Sequence, residues 1–241
     1  MPAIEHETIP TVHPENYWLL AGYARSGAAL VRTIFANCFD MPTSSTYREL
    51  KLGPEYCRLL KHKELGTGQT GQLLDNGPLL VKTHEWPHRH DCHKTGQVPH
   101  AVVIVRDGRR VLGSLRAFYA GRNGLELAWE DMIVGKHRWG SWSEWVRQWA
   151  THCTADTLWI RYEDVMREPE VWIDKLAERF KLKAVSYDLP SIDKIKKRVG
   201  KAGRSIFRKA DMAGNGGMPA DMEALFWQTH GWAMGMLGYD R

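Results

Sequence analysis

Four short runs of apolar residues divide the chain: Asn16–Tyr23, Leu79–His84, Ala101–Val105 and Thr157–Tyr162. Each is too short for a core helix, and Ala101-Val102-Val103-Ile104-Val105 is apolar without interruption, as a parallel strand covered on both faces should be. Stretches with helical spacing follow: Ser26–Phe39, Asp107 to about Tyr119, Trp139–Thr151, Glu168–Phe180 and Met218 to about Met236, with a further helix at Pro54–Leu65. Trp142, Trp145, Val146 and Trp149 share one helical face, Asp107 is a candidate N-cap, and Pro169 suits the first turn of its helix. Residues 40–53, 66–78, 85–99, 120–138 and 186–217 lack either period and read as loops, and residues 1–15 (Pro2, Pro10, Pro14) as an irregular leader. Strands that alternate with helices predict a single α/β domain over 16–241, a parallel β-sheet flanked by helices.

The first strand runs into Gly22-Tyr23-Ala24-Arg25-Ser26-Gly27-Ala28-Ala29-Leu30. A strand, a glycine turn and a helix start aim unpaired backbone N–H groups and a positive helix end at one point, a place for a phosphate. A nucleoside-triphosphate loop reads G-x-x-x-x-G-K-[ST], with Lys on the phosphates and the hydroxyl on Mg²⁺. Gly22 and Gly27 keep that glycine spacing, but Ala28 and Ala29 replace the Lys and the hydroxyl, and the cation comes earlier, at Arg25. The turn is an anion cradle that does not use Mg·ATP.

Composition narrows the partners. The chain has 241 residues, a formal net charge of +5 and eleven tryptophans. Apart from Lys194-Ile195-Lys196-Lys197-Arg198 and the run through Arg208-Lys209, its basic residues are scattered, without the denser stripe of a nucleic-acid binder, so the excess charge suits an anionic small ligand. Cys38, Cys57, Cys92 and Cys153 show no C-x-x-C spacing and read as free thiols. There is no signal-like segment and no apolar run long enough to span a bilayer, so the expectation is a cytoplasmic protein without membrane contact.

Ligands of open parallel sheets sit beyond the C-terminal strand ends. Those ends read Arg25-Ser26-Gly27, Lys82-Thr83-His84, Arg106-Asp107 and Arg161-Tyr162-Glu163-Asp164. Lys82 and His84 are two apart and share a face, and a neighbouring cation favours the neutral imidazole that a general base requires. Arg106 and Ser114 lie eight apart, at a strand end and two helical turns onward, and can face one edge of a ligand; Arg110 adds a contact there or is solvated. His84, His88, His90, Cys92 and His93 contain the donors of a zinc site, but no second ligand cluster has recognisable spacing, and no metal is expected.

Taken in order, these motifs resemble the cytosolic-type sulfotransferases, which use 3′-phosphoadenosine 5′-phosphosulfate (PAPS). The family pattern Y-P-K-S-G-T-T-W is similar to Tyr23-Ala24-Arg25-Ser26-Gly27-Ala28-Ala29-Leu30, and K-T-H-x-P to Lys82-Thr83-His84-Glu85-Trp86-Pro87 with one residue inserted. R-[DN]-x-[KR]-D-x-x-x-S resembles Arg106 to Ser114, and G-S-W-x-x-[HW]-V-x-x-W is matched by Gly140 to Trp149. Tyr162-Glu163-Asp164 and Phe207-Arg208-Lys209-Ala210 complete the series.

The resemblance implies a P-loop-like sulfotransferase fold and transfer of a sulfuryl group from PAPS to a hydroxyl or amine of a small-molecule or glycan acceptor. It implies that Arg25, Ser26, Gly27, Ala28 and Ala29 wrap the 5′-phosphosulfate, with Leu30 next to them in the donor site. Arg106, Ser114, Arg208 and Lys209 would hold the 3′-phosphate, and Tyr162 would sit near the adenine. His84 would be the general base, with Lys82 and Arg25 stabilising charge. An aromatic or sugar acceptor would lie among residues 43–75, 85–99 and 120–138, which hold Tyr47, Tyr56, Trp86 and Trp129. The chain departs from the pattern in five ways. Arg25 stands for Lys. Ala28 and Ala29 remove two hydroxyls worth about 1 kcal/mol each. Leu30 stands for the Trp that stacks on adenine, and Ala210 for a Gly. The family's K-x-x-x-T-V-x-x-x-E dimer motif is not visible, so the oligomeric state stays open. Two other readings stand beside this one: a P-loop-type nucleotide kinase, which the missing G-K-[ST] argues against, and a catalytically weak nucleotide-binding relative, which Ala28 and Ala29 favour.

Overall fold

The structure, a computed structural model, describes residues 17–41, 43–45, 79–87, 100–152, 157–189 and 215–241. Strands β1 (Tyr17–Gly22), β2 (Thr43–Ser45), β3 (Leu79–Thr83), β4 (Ala101–Val105) and β5 (Thr157–Arg161) form one sheet in the order β2-β3-β1-β4-β5. Every pairing is parallel. Helices α1 (Ala28–Cys38), α2 (Gly108–Asn123), α3 (Trp129–Val134), α4 (Trp142–Thr151), α5 (Tyr162–Arg167), α6 (Pro169–Phe180) and α7 (Ala220–Met236) cover it. The chain leaves β1 toward β3 and β2, then returns to β4 on the other side. The strand order therefore reverses at the C-terminal end of β1, where such sheets open a crevice. Gly22 is level with Ile104 there, and Ala21 with Thr83, so three strand ends meet at one edge.

Alternation along each strand divides the core in two. Leu19, Ala21, Val103 and Val105 face α2, α3, α4 and α7, while Trp18, Leu20, Val102 and Ile104 face α1 and α6. Trp142, Trp145 and Trp149 of α4 are all buried in the first layer, so these tryptophans are scaffold and not cavity lining. Asp107 caps α2 as expected, its carboxylate accepting from the Arg109 N–H at 2.9 Å, and Pro169 opens α6.

The structure corrects the sequence reading at four places. A fifth strand, β2, pairs with β3 through Thr43 to Ser45, too polar and short to carry an apolar signal. Residues 120–138 are not one loop: α2 continues to Asn123, and α3 follows with Met132 and Ile133 buried. Six residues cannot display a helical period, but Glu130 and Asp131 in the first turn and the left-handed Gly135 (φ 80°) mark its two ends. Helix α4 starts at Trp142 because Ser141 caps it, accepting from the Glu144 N–H, so Trp139 and Gly140 lie in the preceding turn. Tyr162 opens α5 instead of closing β5. The helix expected at 54–65 and most of the irregular stretch at 186–217 lie outside the described residues. None of the described helices is long and apolar enough to cross a membrane.

One buried histidine ties the first layer together. His230 of α7, with 0% of its surface exposed, lies 2.7 Å from Ser143 Oγ on α4 and 2.9 Å from the Ile133 carbonyl on α3. Burial pushes its pKa down to about 4, against the pull of the Ile133 carbonyl. The unfolded chain takes up this proton near pH 6.5 and the folded chain does not, so stability is lost as pH falls from about 6.5 toward 4, by about 3 kcal/mol from this group. Denaturant unfolding at intervals from pH 7.5 to 4.5 should show that decline, and His230→Gln should reduce the slope by about one proton. Equal slopes in both proteins would mean that His230 already carries its proton in the fold.

Candidate functional site

Residues 23–27 link β1 to α1 by a strap bent in two places. Arg25 and Gly27 both adopt left-handed backbone conformations (φ 77° and 97°). Such a conformation is strained for Arg and costs little for Gly, and strain of this kind gathers at binding sites. Gly27 is required for a second reason: a Cβ there would lie 2.2 Å from the Tyr162 ring. Alternating backbone signs turn successive N–H groups toward one concavity. Helix α1 starts at its edge with no side-chain cap, so the N–H groups of Ala28 and Ala29 have no partner within the helix.

Two polar groups at this edge are buried without their due partners. Ser26 is 1% exposed, and its Oγ makes no hydrogen bond. Arg106, at the end of β4, is 8% exposed, and its Nε makes none either. Its guanidinium lies 4.7 Å over the Tyr162 ring and donates a long 3.4 Å bond from Nη1 to the Arg25 carbonyl. No carboxylate among the described residues pairs with it. Burying a cation without a counter-charge is unfavourable, so this edge is complementary to an anion. Arg25 completes it: its Nε donates to Ser114 Oγ at 3.1 Å, and its guanidinium lies 5.3 Å over Phe118. Behind the edge, Arg109 grips both oxygens of Asp107 and reaches Glu223 at 2.9 Å, while Glu223 accepts from Asn215 at 2.7 Å. Arg110, half-buried, stands 3.9 Å from Asp107.

The second half of the site is the end of β3. Lys82 Nζ lies 2.9 Å from His84 Nε2, as their spacing on the strand requires. His84 Nδ1 bonds the Gly22 carbonyl on the neighbouring strand. A carbonyl only accepts, so the ring proton is on Nδ1, and the Nε2 lone pair faces Lys82 and the open edge. Burial lowers the His84 pKa well below its ordinary value; Lys82, Arg25 and Arg138 push the same way, and the Gly22 carbonyl opposes them. The imidazole is therefore a neutral acceptor at pH 7. Its backbone is held as well, since the indole N–H groups of Trp145 and Trp149 donate to the His84 and Glu85 carbonyls at 3.1 and 3.2 Å.

Arg25, Ser26, Gly27, Ala28, Ala29, Lys82, His84, Arg106 and Tyr162 lie at strand ends or in the turns and helix starts that follow them, and Arg25, Ser114, Arg106 and Tyr162 are linked directly by the contacts above; Leu30, in the first turn of α1, packs against the second layer. Arg208 and Lys209 lie outside the described residues, as do His88, His90, Cys92 and His93. Of the stretches expected around the acceptor, 46–75 and 88–99 are likewise outside them. Trp129 stacks on Arg116, at 5.4 Å. Sequence reasoning missed the turn before α4: Trp139 meets the His84 ring edge-on at 5.4 Å, and Gly140 accepts from the Tyr23 hydroxyl at 2.6 Å. Gly140-Ser141 followed by Glu144, a helix-start pattern, was the signal that would have freed Trp139 from the helix.

The family model described as Sulfotransferase domain matches residues 15–198. Among solved structures the fold is similar to mouse sulfotransferase SULT7A1 complexed with PAP, at 15% identity, TM-score 0.66, covering 89% of this chain and 83% of that one. It is also similar to retinol dehydratase in complex with retinol and PAP (18% identity, TM-score 0.61, 94% and 83% covered). A third is the same enzyme with androsterone and PAP (19%, 0.56, 95% and 83%). No curated protein matches the sequence.

The state of His84 can be read directly. Nitrogen-15 NMR should find it neutral through pH 6.5, protonated at Nδ1 and not at Nε2. A titration centred near 6.5, or the opposite tautomer, would contradict the geometry.

Proposed function

Because the chain belongs to the sulfotransferase family, we propose that it transfers a sulfuryl group from PAPS to a hydroxyl or amine of a small-molecule or glycan acceptor. The observation that carries this reading is the pair of buried side-chain atoms without a hydrogen bond at one edge, Ser26 Oγ and Arg106 Nε, the latter on a guanidinium that no carboxylate among the described residues pairs with. They suit a nucleotide with phosphates at both ends. Ser26 and the N–H groups of Ala28 and Ala29 would take the 5′-phosphosulfate, within the wrap from Arg25 to Ala29. Arg106 would take the 3′-phosphate, with Ser114, Arg208 and Lys209, and Tyr162 would lie beside the adenine. PAP in the similar structures supports the same donor. Retinol and androsterone, held in two of them, support a small-molecule acceptor.

PAPS supplies, when bound, an activated sulfuryl group on a phosphate leaving group. The chain's own part begins at His84, whose Nε2 lone pair is free to accept the acceptor's proton once Lys82 turns from it toward the anion. Lys82 and Arg25 place positive charge where negative charge grows during transfer. Arg25 is permanently charged and acts only electrostatically. The alanines at 28 and 29 leave the cradle to backbone N–H groups and Ser26, in place of the two hydroxyls of the family pattern.

Calorimetry with adenosine 3′,5′-bisphosphate and ADP tests the donor. The bisphosphate should bind and ADP should bind far more weakly, and Arg106→Ala should cost about tenfold or more in bisphosphate affinity. His84→Ala should abolish transfer from PAPS and leave bisphosphate affinity nearly intact. Binding of ADP in preference to the bisphosphate would overturn the assignment, and equal loss of binding and transfer in His84→Ala would make His84 structural.

A further inference from the structure

We propose that Tyr23 is a positioning residue whose hydroxyl clamps the 137–140 turn against the strand edge and so sets the acceptor-facing side of His84. This rests on the sulfotransferase reading above and adds a residue for which the motif resemblance supplied no role. Tyr23 directly follows Gly22, whose carbonyl receives the His84 Nδ1–H. Its ring is buried, 1% exposed, and packs edge-on against Trp145 at 6.1 Å, the residue that donates to the His84 carbonyl. Its hydroxyl donates to the Gly140 carbonyl at 2.6 Å and lies 3.3 Å from His137 Nε2.

The roles within this cluster follow from the donors. The Trp139 N–H donates to His137 Nδ1 at 3.3 Å, so a neutral His137 carries its proton on Nε2, toward the Tyr23 oxygen. Burial lowers the His137 pKa, against a backbone hydrogen bond at Met132 that raises it, and favours that neutral state. The Tyr23 proton is then left for Gly140. Between the clamped Gly140 and His137 sits Trp139, edge-on to His84, with the Arg138 guanidinium 4.8 Å over its indole. Gly140 itself has no slack: its φ is 68°, and a Cβ there would stand 3.0 Å from Trp86.

A closed circuit results. His84 bonds Gly22, the chain continues to Tyr23, Tyr23 bonds Gly140, and the chain returns through Trp139 to the His84 ring. The donor strap begins at Tyr23 as well, so one side chain fixes the spacing between the phosphate cradle and the wall beside the base. Removing the hydroxyl leaves the Gly140 carbonyl without its partner and frees the turn, while the cradle residues Arg25 to Ala29 keep their own contacts.

Tyr23→Phe tests this, with thermal denaturation to establish that the variant is folded. Its affinity for adenosine 3′,5′-bisphosphate should stay within about twofold of wild type, while kcat/KM for the acceptor falls by roughly tenfold, mainly through KM. The pH profile supplies a readout that a general loss of stability would not move. Of the groups that face His84, Lys82 on β3 and Arg25 on the strap stay in place. The turn takes Trp139 and Arg138 with it, removing burial and one cation that both hold the imidazole pKa down. The acid limb of kcat/KM should therefore move up toward pH 6.5. Trp139→Ala should give the same shift, and Tyr23→Phe should add little in that background, since both act through one segment. Additive losses, an unmoved acid limb, or a parallel fall in nucleotide affinity would overturn the clamp. If Tyr23→Phe does not fold, an unshifted acid limb in Trp139→Ala overturns it. Failure of the wild type to bind the bisphosphate would instead fell the sulfotransferase reading, and the clamp with it.

Discussion

The hydrogen bond from His84 Nδ1 to the Gly22 carbonyl joins the ends of β3 and β1, and the chemistry of this edge depends on it. It uses a backbone acceptor that a longer strand would have spent on its neighbour. By taking the Nδ1 proton it decides which nitrogen of His84 is basic, and by spanning two strands it fixes where that nitrogen lies relative to the strap of residues 23–27. Parallel pairing makes this possible, because three strands then end at the same side and deliver Arg25, His84 and Arg106 to it.

Positive charge is concentrated at this edge. Arg106 is nearly buried and has no carboxylate partner among the described residues, and Lys82 and Arg25 stand close to a neutral histidine. Clustered cations and a buried, neutral histidine cost stability, and the surroundings are rigid: three buried tryptophans line α4, two of which also hold the backbone at 84 and 85. On the proposed function, an anion with two phosphate ends would recover that cost on binding. The same cations that repel a proton from His84 therefore also prepare the site for negative charge.

Much of this was legible beforehand, and the residues explain why. Lys82 and His84 obey a local rule, the two-residue period of a strand, and the strap carries its own glycine and helix start. Arg106 and Ser114 were placed through a strand end and a helix of known pitch. What escaped was non-local or too short for a period. The Tyr23–Gly140 bond joins residues 117 positions apart, α3 has six residues, and β2 has three polar ones. Trp139 was absorbed into a helix because its spacing continued the tryptophan stripe of α4, and only the Ser141 cap separates them. The burial of Ser26 without a partner had no signature at all, since it arises from Tyr162 and α1 closing around the strap.

The most direct measurement is a crystal structure of the protein with adenosine 3′,5′-bisphosphate. The 5′-phosphate should lie within hydrogen-bond distance of Ser26 Oγ and the first-turn N–H groups of α1, and the 3′-phosphate should lie against the Arg106 guanidinium. A nucleotide bound elsewhere, or one that touches neither Ser26 Oγ nor the Arg106 guanidinium, would contradict this account of the site.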